Sequence, residues 1–112
     1  MMKFLKTLLP ILCFAAATTL CAQSKMDPPQ DIQMLLMKNS CSGCHAVQTK
    51  LVGPSYMELS KKKYSNEKIV ELVHKPNAKD WPGYPSMAAL PQAPKAEILK
   101  IATWINTLRT KK

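Results

Sequence analysis

Residues Asn39 to Tyr56, NSCSGCHAVQTKLVGPSY, hold the most reactive cluster of the chain. Cys41 and Cys44 stand three apart, His45 follows the second directly, and Gly53-Pro54 begins eight residues after His45. Three chemistries use such a spacing: a redox dithiol, part of a zinc site, or the attachment point of a prosthetic group. A thiol–disulfide oxidoreductase sets C-x-x-C at the start of a helix beside a βαβ sheet. Here the pair follows a helix-like segment, in a chain without strand alternation. A structural zinc site takes about four ligands, usually as two separated pairs. The nitrogen and sulfur donors to consider are Cys41, Cys44, His45 and His74, and the adjacency of Cys44 and His45 makes joint ligation of one ion awkward. The third reading, C-x-x-C-H as covalent haem attachment, uses every residue. Cysteines at i and i+3 on a helical turn point to one side, so both can form thioethers with the vinyl groups of one haem. His45 then stands under the iron as proximal ligand.

Such an iron has a sixth position, for which the candidates are Met26, Met34, Met37, Met57, Met87 and His74. Met34 and Met37 lie on the segment leading into the attachment site, Met57 is twelve residues past His45, and Met26 is near the start of the mature chain. On a helix, methionine is ordinarily core or surface filler. Met87, 42 residues after His45, sits in mid-loop between prolines, where the chain can cross the opposite haem face. Met87 is the expected distal ligand and His74 the alternative, although a histidine at a helix end also reads as a C-terminal cap. With both axial positions filled, one-electron transfer is the remaining chemistry, and a thioether opposite imidazole raises the potential. With the sixth position labile, the alternative is a haem-based sensor or small-ligand binding protein. No separate catalytic constellation suggests an enzyme.

The elements that must carry these residues read as helices. Asp27 offers an N-cap with Pro28 at the first helical position, and Ile32, Leu35 and Leu36 share a face up to Asn39 or Ser40. A short helix fits Ser55–Tyr64. A third begins at Ser65 or Asn66, with Ile69, Leu72 and Val73 on one face, and Pro76 stops it near His74. From Lys75 to Pro94, five prolines and Gly83 exclude regular helix. Trp81, Tyr84, Met87 and Leu90 make that stretch too apolar for a disordered linker, so it should pack against something. The last helix spans roughly Lys95 to Arg109, with a stripe of Ile98, Ile101, Ala102, Ile105 and Leu108 widened by Leu99 and Trp104. The fold expected is all-α.

Length and charge set the outer bounds. The chain has 112 residues, room for one domain. Basic Met1–Lys6, an apolar run over Thr7–Leu20 and "LCA" before polar "QSK" have the order of a secretory signal peptide, with cleavage after Ala22. This leaves residues 23–112 as the domain and the periplasm as destination. The apolar run of 14 residues is shorter than the ~20 of a spanning helix; a lipid-anchored form on Cys21 is the other possibility. Removal leaves Cys41 and Cys44 as the only cysteines, and 14 basic against 7 acidic residues, about +7. That excess suits docking to acidic partner proteins. An exported chain without aromatic residues interleaved among its lysines does not suit nucleic acid. So small a domain is marginal without a further core component, and a covalently held macrocycle supplies one.

Together, "CSGCH", "VGPSY", "WPGYPSM" and a terminal helix with "ATWI" resemble the small single-haem class I cytochromes c of bacteria, over Asp27 to Lys111. The resemblance implies about four helices wrapped around one covalently bound haem c, with the N- and C-terminal helices crossing. It makes Cys41 and Cys44 the thioether anchors, His45 the proximal ligand and Met87 the distal one. Pro54 would supply the carbonyl that accepts the His45 Nδ1–H, and Trp81 would lie near a haem propionate. Ala88 and Ala89 follow Met87 where relatives often carry proline. The implied role is a monomeric electron carrier that docks to membrane respiratory complexes or periplasmic oxidoreductases.

Overall fold

The computed structural model of the chain describes residues 24–111 and, in isolation, residue 17; the expected signal segment 1–22, its cleavage site and Cys21 otherwise lie outside the described residues. Four helices follow one another: α1 (Gln30–Lys38), α2 (Tyr56–Lys61), α3 (Asn66–His74) and α4 (Lys95–Leu108). Single 3-10 turns sit at Cys41–Gly43 and Ala78–Asp80. No strand occurs among the described residues.

The longest helix organises the rest. α4 buries Ile98, Ile101, Ala102, Trp104, Ile105 and Leu108, and α1, α2 and α3 each pack on it. A stripe this wide can meet three neighbours at once, whereas a narrow one would serve a single partner. α1 brings Ile32 and Leu36 and α2 brings Tyr56 and Ser60. From α3 come Ile69 and Val70, with Leu72 and Val73 only half-buried. The expected face of α3 is therefore rotated by one position toward Val70. Ser60 is fully enclosed, and its hydroxyl is satisfied by donating to Met57 O at 2.6 Å. Such back-bonding to the preceding turn lets a small polar residue sit under α4.

Helix ends differ from the expectation where capping is concerned. Asp27 does not cap α1: its carboxylate accepts from Ser24 N–H at 2.8 Å, and Pro29, without a side-chain cap, stands before the first turn. α2 and α3 are capped by Ser55 and Ser65, whose hydroxyls accept from Glu58 and Lys68 N–H. α2 stops three residues short of Tyr64 because Lys63 takes a left-handed φ of 55°. α1 stops at Ser40, also left-handed at φ 60°, whose N–H donates to Met37 O at 3.0 Å. At the junction of α1 and α4, Lys38 and Asn39 both donate to the Glu97 carboxylate. These two donors, led by Lys38, hold Glu97 below the usual carboxylate range.

The proline-rich stretch after α3 is packed. His74 does not cap its own helix. Its Nε2–H donates to Ala93 O at 2.8 Å, and Leu90 N–H donates to Val73 O at 3.0 Å, so the segment's far end is fastened to α3. Its near end is fastened to α2, where Tyr84 donates to Glu58 at 2.7 Å and Lys62 donates to Asp80 O at 3.1 Å.

Candidate functional site

The left-handed Ser40 breaks α1 and starts the Cys41–Gly43 turn. A 3-10 turn has about three residues per revolution, so side chains at i and i+3 eclipse. Cys41 and Cys44 are therefore on one side of the turn, closed by the Cys44 and His45 N–H groups donating to Cys41 O at 3.2 and 3.1 Å. The two form no disulfide with each other; Cys41 is half-buried against the core and Cys44 is exposed. Burial pushes the Cys41 thiol up, in part offset by a backbone hydrogen bond.

His45 is held from two directions. Its Nδ1 lies 2.7 Å from Pro54 O. A carbonyl only accepts, so the proton is on Nδ1 and the lone pair of neutral imidazole is on Nε2. Gly53 lies against the ring face. A Cβ built there would stand 2.5 Å from Cε1, 2.9 Å from Nδ1 and 3.2 Å from Nε2, so only glycine leaves room for this imidazole. The loop that brings Gly53 and Pro54 back is stapled along its length. Gly53 N–H donates to Cys44 O at 2.7 Å, Tyr56 N–H to Ala46 O at 2.9 Å and Met57 N–H to Val47 O at 3.0 Å. Behind the imidazole, the Tyr56 ring lies 5.6 Å away at 32°, and Trp104 meets Tyr56 edge-on at 5.1 Å. The Tyr56 hydroxyl and Trp104 Nε1 are buried without a protein partner. Burial, with smaller contributions from Cys41 and Cys44, raises the phenol far above its usual range.

The residues expected elsewhere are placed as follows. Met87 lies on the fastened segment after α3 and is 38% exposed. Trp81 is half-buried, edge-on to Tyr84 at 5.9 Å, with Lys62 Nζ 4.6 Å above its ring. Lys50 Nζ covers Tyr84 at 4.3 Å. Trp81 and Tyr84, with Glu58, Lys61, Lys62, Asp80 and Pro82, line a shallow groove of about 320 Å³. His74 is engaged with Ala93 O, and no group of three or more His, Cys, Asp or Glu able to hold a metal ion gathers among the described residues. Sequence reasoning passed over Gly53, Tyr56 and the Tyr84–Glu58 pair. Gly53 stood in the quoted "VGP", but its closeness to His45 is a three-dimensional fact.

What this arrangement suits is a flat, covalently anchored ligand-binding cofactor. Two cysteines share a side, and the next residue offers an imidazole whose outer nitrogen is free and whose orientation is set. On the same loop, Leu51 and Val52 are exposed at 48% and 53%, apolar surface that a macrocycle would cover. A buried hydroxyl and a buried indole N–H wait without acceptors. These features fit a haem attached through sulfur, and they define a c-type haem protein. A sequence model of the cytochrome c family matches residues 30–109, a span that takes in all four helices, and the chain belongs to that family. No curated protein matches the chain. Membership brings covalently bound haem c and, as general chemistry, haem-based electron transfer.

Proposed function

We propose that the chain is an exported carrier of single electrons, with one haem c held through Cys41 and Cys44 and ligated axially by His45 and Met87. The observation that carries this reading is the His45 imidazole, pinned by Pro54 O and cradled by Gly53 so that Nε2 is the free donor. A haem bound there supplies one-electron chemistry at iron. The chain's own residues do the rest. Cys41 and Cys44 prevent loss of the group, and Pro54 holds the imidazole tautomer and increases its basicity. Met87 would take the remaining axial site, which would leave no place for a substrate and make the protein a carrier rather than an enzyme. Fastening of the 75–94 segment to α2 and α3 keeps Met87 from swinging away.

The first 22 residues would direct the chain to the periplasm, where it would exchange electrons as a monomer with respiratory complexes or oxidoreductases that present acidic surfaces. The supporting feature is the excess of 14 basic over 7 acidic residues that remains after residue 22, with Lys50, Lys61, Lys62, Lys63 and Lys79 as candidate contacts. No helix among the described residues is long and apolar enough to cross a membrane. The decisive experiment combines intact mass with optical spectra of the exported protein. One haem added to a chain beginning after Ala22, with a thioether-to-iron band at the red end of the oxidised spectrum, is the expected result. A colourless product with two alkylatable cysteines, or a reduced form that binds carbon monoxide readily, would overturn it.

A further inference from the structure

Tyr56 stands out among the groups packed around His45. It is 4% exposed, yet its hydroxyl has no hydrogen-bonding partner in the protein. Buried hydroxyls are nearly always satisfied, because leaving one bare forfeits its hydration without return. Phenylalanine would fill the same space without that cost. The position is also well determined. Tyr56 opens α2, its N–H donates to Ala46 O at 2.9 Å, and its ring is wedged between His45 at 5.6 Å and Trp104 at 5.1 Å. The hydroxyl thus belongs to a ring that lies against the proximal imidazole, and no protein atom accepts from it.

We propose that Tyr56 is a potential-setting residue whose O–H is a donor reserved for the haem held by Cys41, Cys44 and His45. This inference rests on the haem-carrier reading. The positive end of the O–H dipole, directed at the cofactor, stabilises the state with one more electron and so raises the reduction potential. The proton stays on the phenol oxygen in both oxidation states. Ile98, fully buried on α4 and without a polar atom in its side chain, provides the control for core packing.

The test is a redox titration of the exported, haem-loaded protein and of its Tyr56→Phe and Ile98→Val variants. Intact mass and oxidised and reduced spectra are recorded first, so a missing haem, which overturns the carrier reading together with this one, is told apart from a failure of Tyr56 alone. At the potential where the unmodified protein is half reduced, Tyr56→Phe should raise the oxidised-to-reduced ratio about three- to ten-fold. That corresponds to a midpoint lower by about 30–60 mV, at about 59 mV per tenfold for one electron. Ile98→Val, which removes one methylene from the core and no hydrogen-bond donor, should change the ratio less than about two-fold. An unchanged ratio in Tyr56→Phe overturns the proposal, whether or not the variant is less stable. An equal shift in Ile98→Val also overturns it, because the effect would then come from a loosened core. Reduced-minus-oxidised infrared spectra with ring-labelled tyrosine give an independent readout. A phenol C–O band that responds to the iron's oxidation state in the unmodified protein, and is absent from Tyr56→Phe, is expected; silence in that region counts against the proposal.

Discussion

At the scale of single residues, Gly53 is as necessary to the site as the histidine it faces. A methyl group at Gly53 would overlap the His45 ring at 2.5 Å, and the obstacle is a ring fixed by Pro54 O rather than the end of a flexible side chain. Gly53→Ala should therefore cost about 1–3 kcal/mol in a urea titration, the range for overpacking a well-filled interior. It should also perturb the proximal ligand band of the haem-loaded protein. Normal stability together with an unshifted spectrum would show that the loop yields more easily than its hydrogen bonds suggest. Met87 is tested differently. It contributes little to the core, being 38% exposed, so Met87→Ala should leave folding nearly intact. It should abolish the red-end charge-transfer band, lower the potential and admit carbon monoxide to the reduced iron. Retention of that band after the substitution would move the distal role to another side chain.

At the scale of elements, the contact between α1 and α4 is fixed at one end by charge. Glu97 accepts from Lys38 and Asn39, and these donors hold its carboxyl below the ordinary range. A carboxylate with a depressed folded-state pKa contributes stability above its unfolded pKa and loses it as pH falls through the folded one. Glu97→Gln should accordingly lower the melting temperature slightly at pH 7. The difference from the unmodified protein should shrink to nothing once both carboxyls are protonated, as thermal melts across the acid range will show. A gap that persists at low pH would assign the effect to packing. The effect is small because the pair is exposed and screened. Elements also divide by how readily they are read from the chain. The α4 stripe was legible because its apolar positions keep a 3.6-residue period for 14 residues. The starts of α2 and α3 were legible at Ser55 and at Ser65 or Asn66, where the two serines act as caps on their own next turn. The start of α1 was misread because Asp27 turned to Ser24 instead of to the helix. The end of α2 was hidden because a lysine, not a glycine, takes the left-handed turn at residue 63. The order in the proline-rich segment was hidden for a third reason: its ties join residues 26, 17 and 19 apart, as Glu58–Tyr84, Val73–Leu90 and His74–Ala93. No local pattern announces such pairs. In the site, the attachment motif was legible from spacing alone, whereas Gly53 and Tyr56 matter through what they touch.

For the molecule as a whole, the charge balance sets how it meets other molecules. The chain carries 16 basic against 7 acidic residues. Oxidation by a small anionic reagent should slow as salt is added, and oxidation by a cationic one should quicken, because screening weakens attraction and repulsion alike. Stopped-flow rates at two or three ionic strengths decide this. Equal salt dependence for both reagents would mean that the lysines lie away from the place where electrons leave. Lys62 over Trp81 and Lys50 over Tyr84 put two of these charges on the groove beside α2. Replacing both with glutamine should reduce the salt effect without altering the haem spectrum.

The two sides of the haem site are secured over different lengths of chain. Everything that holds His45 comes from residues 40–56, a short loop that closes on itself through neighbouring hydrogen bonds. The side-chain hydrogen bonds that fasten the Met87 segment instead reach to α2 and α3, which must already be in place. Loops of such unequal span do not open together, since local closures re-form faster than distant ones. Under the proposed His45 and Met87 ligation, the protein should thus yield in two stages on warming or in mild denaturant, surrendering the sulfur ligand first while the imidazole stays bound. Its colour would then report the earliest step of its own undoing, well before the helices melt.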